Sequence, residues 1–205
     1  SVVTEPKLER LAELNARAEG LIVVSADQAN VEQLAQAARQ SGRSLRVLVD
    51  IEAGSRRTGI AEEQRAVELA RSVAETDGLE YAGVQGYGGS RPGIIDYDAR
   101  RTYMFEQYQP LVRVVERLHE AGLPPRIVTG GGTGTHDFDH ELGVLTENQA
   151  GTYVLMDMNY RDAVLRRDDP HPFRQALTVR ATVVSAAQEG FVVTDAGLKE
   201  LDNLG

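Results

Sequence analysis

An α/β fold built on a parallel sheet, with a short antiparallel β segment after it, is what this sequence predicts. Three observations carry the prediction. Short apolar runs at 21–24, 45–51, 81–87, 126–129 and 151–157 alternate with stretches of helical period. No hairpin signal joins neighbouring runs, so each strand returns through a right-handed crossover and pairs in parallel. Beyond Asp157 the pattern changes: residues 177–185 alternate at period two, and 191–197 follow across Gln188-Glu189-Gly190, as in an antiparallel pair. A domain boundary is expected within 160–176, a polar, proline-punctuated stretch with no clear period.

Each element has its own signal. Thr4 stands as N-cap of a first helix with Pro6 in its first turn, and Leu8, Leu11, Ala12, Leu14 and Ala18 fall at helical spacing before Gly20 ends it. The continuous run 21–24 reads as a strand buried on both faces. Asp27 caps a second helix that stops at Ser41-Gly42, and the strand 45–51 opens into a loop from Glu52 to Gly59. An amphipathic helix from Ala61 to about Thr76 precedes the strand 81–87, which opens into Gly88-Gly89-Ser90-Arg91-Pro92-Gly93. A long helix from about Asp96 to Glu120 leads to the fourth strand. His136 to about Leu142 reads as a short helix, and 151–157 as a fifth strand.

Composition narrows the function classes. Hydrophobic residues make up 41% and charged residues 26%, ordinary for a globular protein. A net charge of −9 argues against nucleic acid or an anionic membrane as partner. The absence of cysteine excludes disulfides, thiolate metal sites and cysteine nucleophiles. No apolar run approaches ~18 residues and no signal-peptide pattern opens the chain, so a soluble, cytoplasmic protein is expected. Lysine is nearly absent, with only Lys7 and Lys199.

In parallel α/β architectures ligands bind at the carboxyl ends of the strands. The richest such end is Thr129-Gly130-Gly131-Gly132-Thr133-Gly134-Thr135. Glycines let the backbone close on a ligand and turn its amides inward, and threonines add hydroxyl donors, a combination that suits a phosphate. The stretch fits neither the dinucleotide fingerprint nor the P-loop, and a glycine cluster by itself is equally an ordinary turn. Arg57, after a glycine-containing turn, is a candidate for an anionic oxygen or an exposed loop arginine. Gln85 and Tyr87 share one strand face, where Tyr87 either meets a planar ring or fills a barrel layer. His136 and His140 stand at i and i+4, but without the glutamate of a zincin motif a solvated helix start explains them better than a metal.

Several stretches together resemble one family. They are Val49-Asp50-Ile51-Glu52-Ala53-Gly54-Ser55-Arg56-Arg57-Thr58-Gly59, Ala82-Gly83-Val84-Gln85-Gly86-Tyr87 and Val128-Thr129-Gly130-Gly131-Gly132-Thr133-Gly134-Thr135, then Thr146-Glu147-Asn148-Gln149-Ala150-Gly151-Thr152 through Asp157, and Asp195-Ala196-Gly197-Leu198-Lys199. In this order they resemble the D-threonine aldolase / D-serine dehydratase group of pyridoxal-phosphate enzymes, whose barrel is of the alanine-racemase type (fold type III).

The resemblance implies a (β/α)8 TIM-type barrel, here its later part of about five βα units, over 1–165. The start of a C-terminal β-domain would cover 166–205. It implies pyridoxal 5′-phosphate as cofactor, with Thr129, Gly130, Gly131, Gly132, Thr133, Gly151 and Thr152 around its phosphate. Arg57 would face the ring's phenolic oxygen, and Gln85, Tyr87 and Gln149 the pyridine. The implied reaction is retro-aldol cleavage, or loss of water, at a D-3-hydroxy amino acid, in a homodimer. The family's Schiff-base lysine lies on the first barrel strand, and nothing like it occurs here. By the alignment the chain begins after the third strand, and the divalent-metal ligands of the aldolases lie outside this segment. Gly88 stands where many aldolase members carry histidine, and Arg56 where they carry a small residue. The 205-residue segment alone is therefore expected to be inactive. The alternatives are an inert fragment or a non-catalytic binder of a phosphate-bearing ligand, a racemase-like relative, and a phosphate-ester enzyme relying on His136 or His140.

Overall fold

The computed structural model describes residues 1–89 and 91–197; Ser90, Leu198 and Lys199, which belong to stretches singled out above, lie outside the described residues. Five parallel strands form one sheet: β1 Ile22–Ser25, β2 Leu45–Asp50, β3 Leu79–Gly86, β4 Ile127–Gly130 and β5 Glu147–Asn148. They lie side by side in chain order, β1-β2-β3-β4-β5, with no point at which the order reverses. A doubly wound sheet has such a reversal; a barrel does not. The expected barrel-type parallel architecture is what the chain adopts.

The helices return the chain between strands. They are α1 Glu5–Arg17, α2 Gln28–Ser41, α3 Glu63–Glu75, α4 Tyr97–Glu120 and a short α5, Met158–Asp162. The Asp27 carboxylate accepts from the amides of Ala29 and Asn30, satisfying two groups that the first turn of α2 leaves unpaired, and Gly42, at φ 69°, ends that helix. Thr4 occupies the N-cap of α1 without a side-chain bond, so Pro6 in the first turn is the stronger signal there. On α4, Tyr97, Arg100, Met104, Tyr108, Leu111 and Val115 recur every three or four residues and are all buried. One of that stripe is an arginine.

A bulge in β3 sets the register that matters most for the site. Pairing of β2 with β3 slips between Val47, opposite Tyr81, and Leu48, opposite Gly83. Gly83 takes φ +141°, and a Cβ there would lie 1.9 Å from the Ile127 carbonyl oxygen, so only glycine fits. After the slip Gln85 stands level with Asp50 on one side and Thr129 on the other.

Three expected elements differ from those observed. The fifth strand is not 151–157. Residues 146–149 take β4's free edge, through Thr146 N–H to Val128 O (2.8 Å) and Gln149 N–H to Gly130 O (2.8 Å). The apolar run after them pairs with no strand among the described residues: Thr152–Val154 forms a 3-10 turn and Val154 is exposed. The short helix expected from His136 is a 3-10 turn over Asp139–Leu142. The antiparallel pair is present but shorter than the sequence pattern, β6 Val183–Ser185 against β7 Val193–Thr194, with exposed side chains. A small cluster of Met156, Tyr160, Ala163 and Leu165 packs with Phe173 across the expected boundary.

Arg100 is wholly buried and bonds only to backbone carbonyls. Its Nε donates to Gly134 O (2.8 Å), Nη1 to Ile94 O (2.7 Å) and Ile95 O (3.2 Å), and Nη2 to Val164 O. Burial lowers its pKa, and no carboxylate bonds to it among the described residues. The guanidinium ties the loop after β4, the entry to α4 and the segment after α5 to one point. Arg100→Met keeps the apolar stem but leaves those carbonyls unpaired, and is expected to destabilise the fold by about 2–4 kcal/mol. A lower denaturation midpoint in urea checks this.

Candidate functional site

A row of polar side chains crosses the carboxyl ends of the strands. Gln85 Nε2 donates to Asp50 Oδ1 (3.2 Å), joining β3 to β2, and Gln149 Nε2 donates to Thr129 Oγ1 (3.2 Å), joining the residue after β5 to β4. Asp50 and Thr129 are buried, while Gln85 and Gln149 are half-buried. Beside the row, the Arg57 guanidinium lies over the Tyr87 ring at 5.3 Å from its centroid. Arg57 is held there by a closed loop: Ile60 N–H bonds Asp50 O (2.8 Å) and Glu52 N–H bonds Ile60 O (3.0 Å), so 52–59 folds back on its own strand. Arg56, on the same loop, has φ +51°, a left-handed conformation that costs a non-glycine residue energy. Arg91 Nη2 donates to Gly54 O (2.7 Å), pinning the loop after β3 to this one.

The glycine-threonine turn is built differently from a simple cradle. Gly131 N–H donates to the Tyr108 hydroxyl oxygen (2.8 Å), and Gly132 N–H to Thr135 Oγ1 (2.9 Å). Those two amides are used inside the protein. The amides of Thr133 and Gly134 have no protein acceptor among the described residues, and both residues are buried. Buried amides rarely go unpaired, so an anion at this turn would complete them. Thr133 Oγ1 accepts from Tyr153 N–H (3.1 Å), which brings the turn beside the 3-10 turn containing Thr152, with Gly151 exposed at its start. The residues present therefore fit a phosphate here, narrowed to Thr133, Gly134 and the neighbourhood of Gly151 and Thr152. Gly130 is hemmed in by Gly86 O at 2.6 Å from a Cβ position and serves packing.

Behind the turn lies an apparatus that composition and spacing alone did not disclose. Tyr108 from α4 accepts from Gly131 N–H and so ties the turn after β4 to that helix. Burial pushes its hydroxyl pKa upward. Asp139 is 4% exposed, and its Oδ2 accepts from Thr135 Oγ1 (2.7 Å) and from Asn148 Nδ2. Burial raises its pKa to about 7, against the lowering effect of Thr135, Gly132, Asn148 and His140. The signal for Arg100 and Tyr108 was present: both fall on the apolar stripe of α4. His136 Nδ1 contacts Thr133 O (2.8 Å) and its ring lies against Phe173, while His140 is exposed. No group of three or more metal-ligating side chains forms among the described residues. At Gly88 a Cβ would meet Ala53 O at 2.2 Å, so no side chain fits that position in this loop.

A parallel sheet in barrel order, with a row of polar side chains at the strand tips, places this chain among the barrel-type α/β proteins. Residues 2–158 match the family model described as "Alanine racemase, N-terminal domain", and the chain belongs to that family. It is 33% identical over 201 residues to the 3-hydroxy-D-aspartate aldolase of Paracoccus denitrificans (strain Pd 1222), covering 96% of this chain and 52% of that protein. It is 34% identical over 198 residues to the D-threonine aldolase of Arthrobacter sp, covering 97% of this chain and 52% of the relative. The crystal structure of D-threonine aldolase from Filomicrobium marinum superposes with a TM-score of 0.88 at 35% identity, over 97% of this chain and 53% of that one. The chain spans about half the length of the curated relatives it matches.

Gly131 is the most constrained residue of the site. It has φ +66°, and a Cβ would lie 2.0 Å from Asp139 Oδ2 and 2.6 Å from Asn148 Nδ2. Gly131→Ala is expected to cost about 2–3 kcal/mol, from the left-handed backbone and the displaced carboxylate together. The midpoint of a urea unfolding curve measures it.

Proposed function

We propose that this chain forms the phosphate and ring pocket of a pyridoxal-phosphate-dependent lyase acting on D-3-hydroxy amino acids, by retro-aldol cleavage or by loss of water. The observation that carries the reading is the Asp50–Gln85 and Thr129–Gln149 row. It runs between Arg57 on Tyr87 at one side and the unpaired amides of Thr133 and Gly134 at the other. That spread offers a flat surface with polar edges, a cation for an anionic ring oxygen and an anion seat.

When bound, the cofactor supplies an electron sink for charge that develops beside the amino acid's nitrogen. This chain's part is to hold and orient. Arg57 presents a permanent positive charge toward a phenolic oxygen, and its stacking on Tyr87 limits how far it swings. Gln85, kept in place by Asp50, and Gln149, kept in place by Thr129, present amide groups to the ring's edge. The amides of Thr133 and Gly134, with Gly151 and Thr152, take the phosphate oxygens.

No lysine stands at this site among the described residues. Lys7 is exposed on α1, and Lys199 lies outside the described residues in the stretch after β7. The lysine that the resemblance places on the first barrel strand has no counterpart in this sequence, and we infer that this chain binds without catalysing and that activity belongs to a protein carrying this pocket together with such a lysine. A homodimer is part of the proposal, supported by exposed apolar side chains at Val154, Leu155 and Met158. A divalent metal would be held by residues other than these. No described helix is long and apolar enough to cross a membrane.

Titration of the 205-residue chain with pyridoxal phosphate, followed by tyrosine fluorescence, is expected to show saturable binding that Arg57→Ala weakens about tenfold. No cleavage or dehydration of D-3-hydroxy amino acids should accompany it. Absence of binding sinks the pocket reading, and turnover by this chain alone sinks the lysine argument. In a protein carrying the pocket and a lysine, racemisation in place of glycine or keto-acid release would assign racemase chemistry.

A further inference from the structure

We infer that Asp139 is a positioning residue that couples anion binding at the Thr133–Gly134 turn to the uptake of a proton. The inference rests on the phosphate seat proposed above and goes beyond it, because Asp139 sits behind the turn and touches no ligand position.

The geometry leads from the turn to the carboxyl. Gly132 N–H bonds Thr135 Oγ1 (2.9 Å), and Thr135 Oγ1 in turn donates to Asp139 Oδ2 (2.7 Å). Asn148, at the end of β5, donates to the same oxygen. Gly131 is pressed against it so closely that a methyl group would overlap the carboxyl. The other oxygen, Oδ1, is buried and has no hydrogen-bond partner among the described residues. One oxygen thus organises the turn while its twin is buried without a partner among those residues, an arrangement that disfavours the ionised form.

The titratable surroundings are few. His140 follows Asp139 on the same 3-10 turn and favours the carboxylate; Tyr108 faces it from α4, and its neutral form is favoured in return. The glycine turn contributes Thr135 and Gly132, and β5 contributes Asn148, all uncharged. No lysine or arginine bonds to Asp139 among the described residues.

A phosphate dianion seated on the next amides along brings a second negative charge to the far side of the same turn. Like charges across a low-dielectric loop penalise each other, so the occupied site favours Asp139 protonated. Linkage fixes the sign. If anion binding raises the pKa of Asp139 from about 7, then protonation tightens anion binding by the same factor. Affinity is greatest below pH 7 and falls as pH rises through the pKa of the free and then of the bound state. Protonation leaves Oδ2 free to accept from Thr135 and Asn148, so the turn keeps its shape while losing its charge.

The test compares the chain with Asp139→Asn, an uncharged mimic of the protonated form, in binding pyridoxal phosphate from pH 7 to pH 9. Taking the ratio of the two affinities at each pH removes the titration of the ligand itself. The ratio is expected to move about fivefold across this range, with the variant the tighter binder at pH 9, for a bound-state shift of about one unit. A ratio that stays constant while both proteins bind overturns the coupling and leaves the pocket standing. No binding by either protein overturns both. Calorimetry of the unmutated chain at pH 8, in two buffers of different ionisation enthalpy, decides the same question should the variant not fold. Proton uptake beyond the ligand's own supports the coupling, and none overturns it.

Discussion

A buried guanidinium bonded only to backbone is the constraint on which this structure turns. Among the described residues Arg100 has no carboxylate bonded to it; its charge is spread over carbonyls from three separate segments. Such a group is costly to bury unless each donor finds an acceptor, so the acceptors are held as firmly as the donor. One acceptor belongs to Gly134, whose amide side is proposed to face an anion. The geometry of the turn after β4 is thus decided by a residue on a helix behind the sheet. Alignment of a helix stripe and a loop carbonyl does what a purely apolar contact could not, because apolar packing has no direction.

Tyr108 and Asp139 complete the backing of that turn from two further directions. Tyr108 ties Gly131 to α4, and Asp139 ties Thr135 to Asn148 at the end of β5. Groups that touch a ligand need support from groups that do not, or they drift from the geometry that makes them useful. Glycine at 131 serves that support as much as any ligand, since the space a side chain would fill is already occupied by the carboxyl. The same holds at Gly83, where absence of a Cβ admits the Ile127 carbonyl and sets the register that aligns Asp50, Gln85 and Thr129.

Much of the fold was legible in the amino acids. Continuous apolar runs such as Leu21-Ile22-Val23-Val24 have few alternatives to a buried strand, and Asp27 with Gly42 bounds a helix by local chemistry. Helix–strand alternation without hairpins then leaves parallel pairing as the outcome. The candidate site was legible in part, because strand tips are where this architecture gathers ligands, and Arg57, Tyr87, Gln85, Thr129 and Gln149 stand at or beside such tips. The run Tyr153-Val154-Leu155 misled for a physical reason: its composition suits a strand, but Thr146 to Gln149 took the place beside β4, and a run following so soon has no crossover length to return parallel beside them.

By itself, the sequence determined the alternation of elements, their caps, the parallel order and the family resemblance carried by the glycine-threonine stretch, since each depends on near neighbours along the chain. Only the tertiary structure decided which glycine amides are already bonded, which arginine is buried, and that Asp139 stands behind the turn rather than in solvent. Those outcomes depend on partners such as Arg100 and Gly134, or Asn148 and Asp139, that meet across sheet and helix. Desolvation, which sets the cost and the chemistry of a buried charge, exists only once those partners have closed around it.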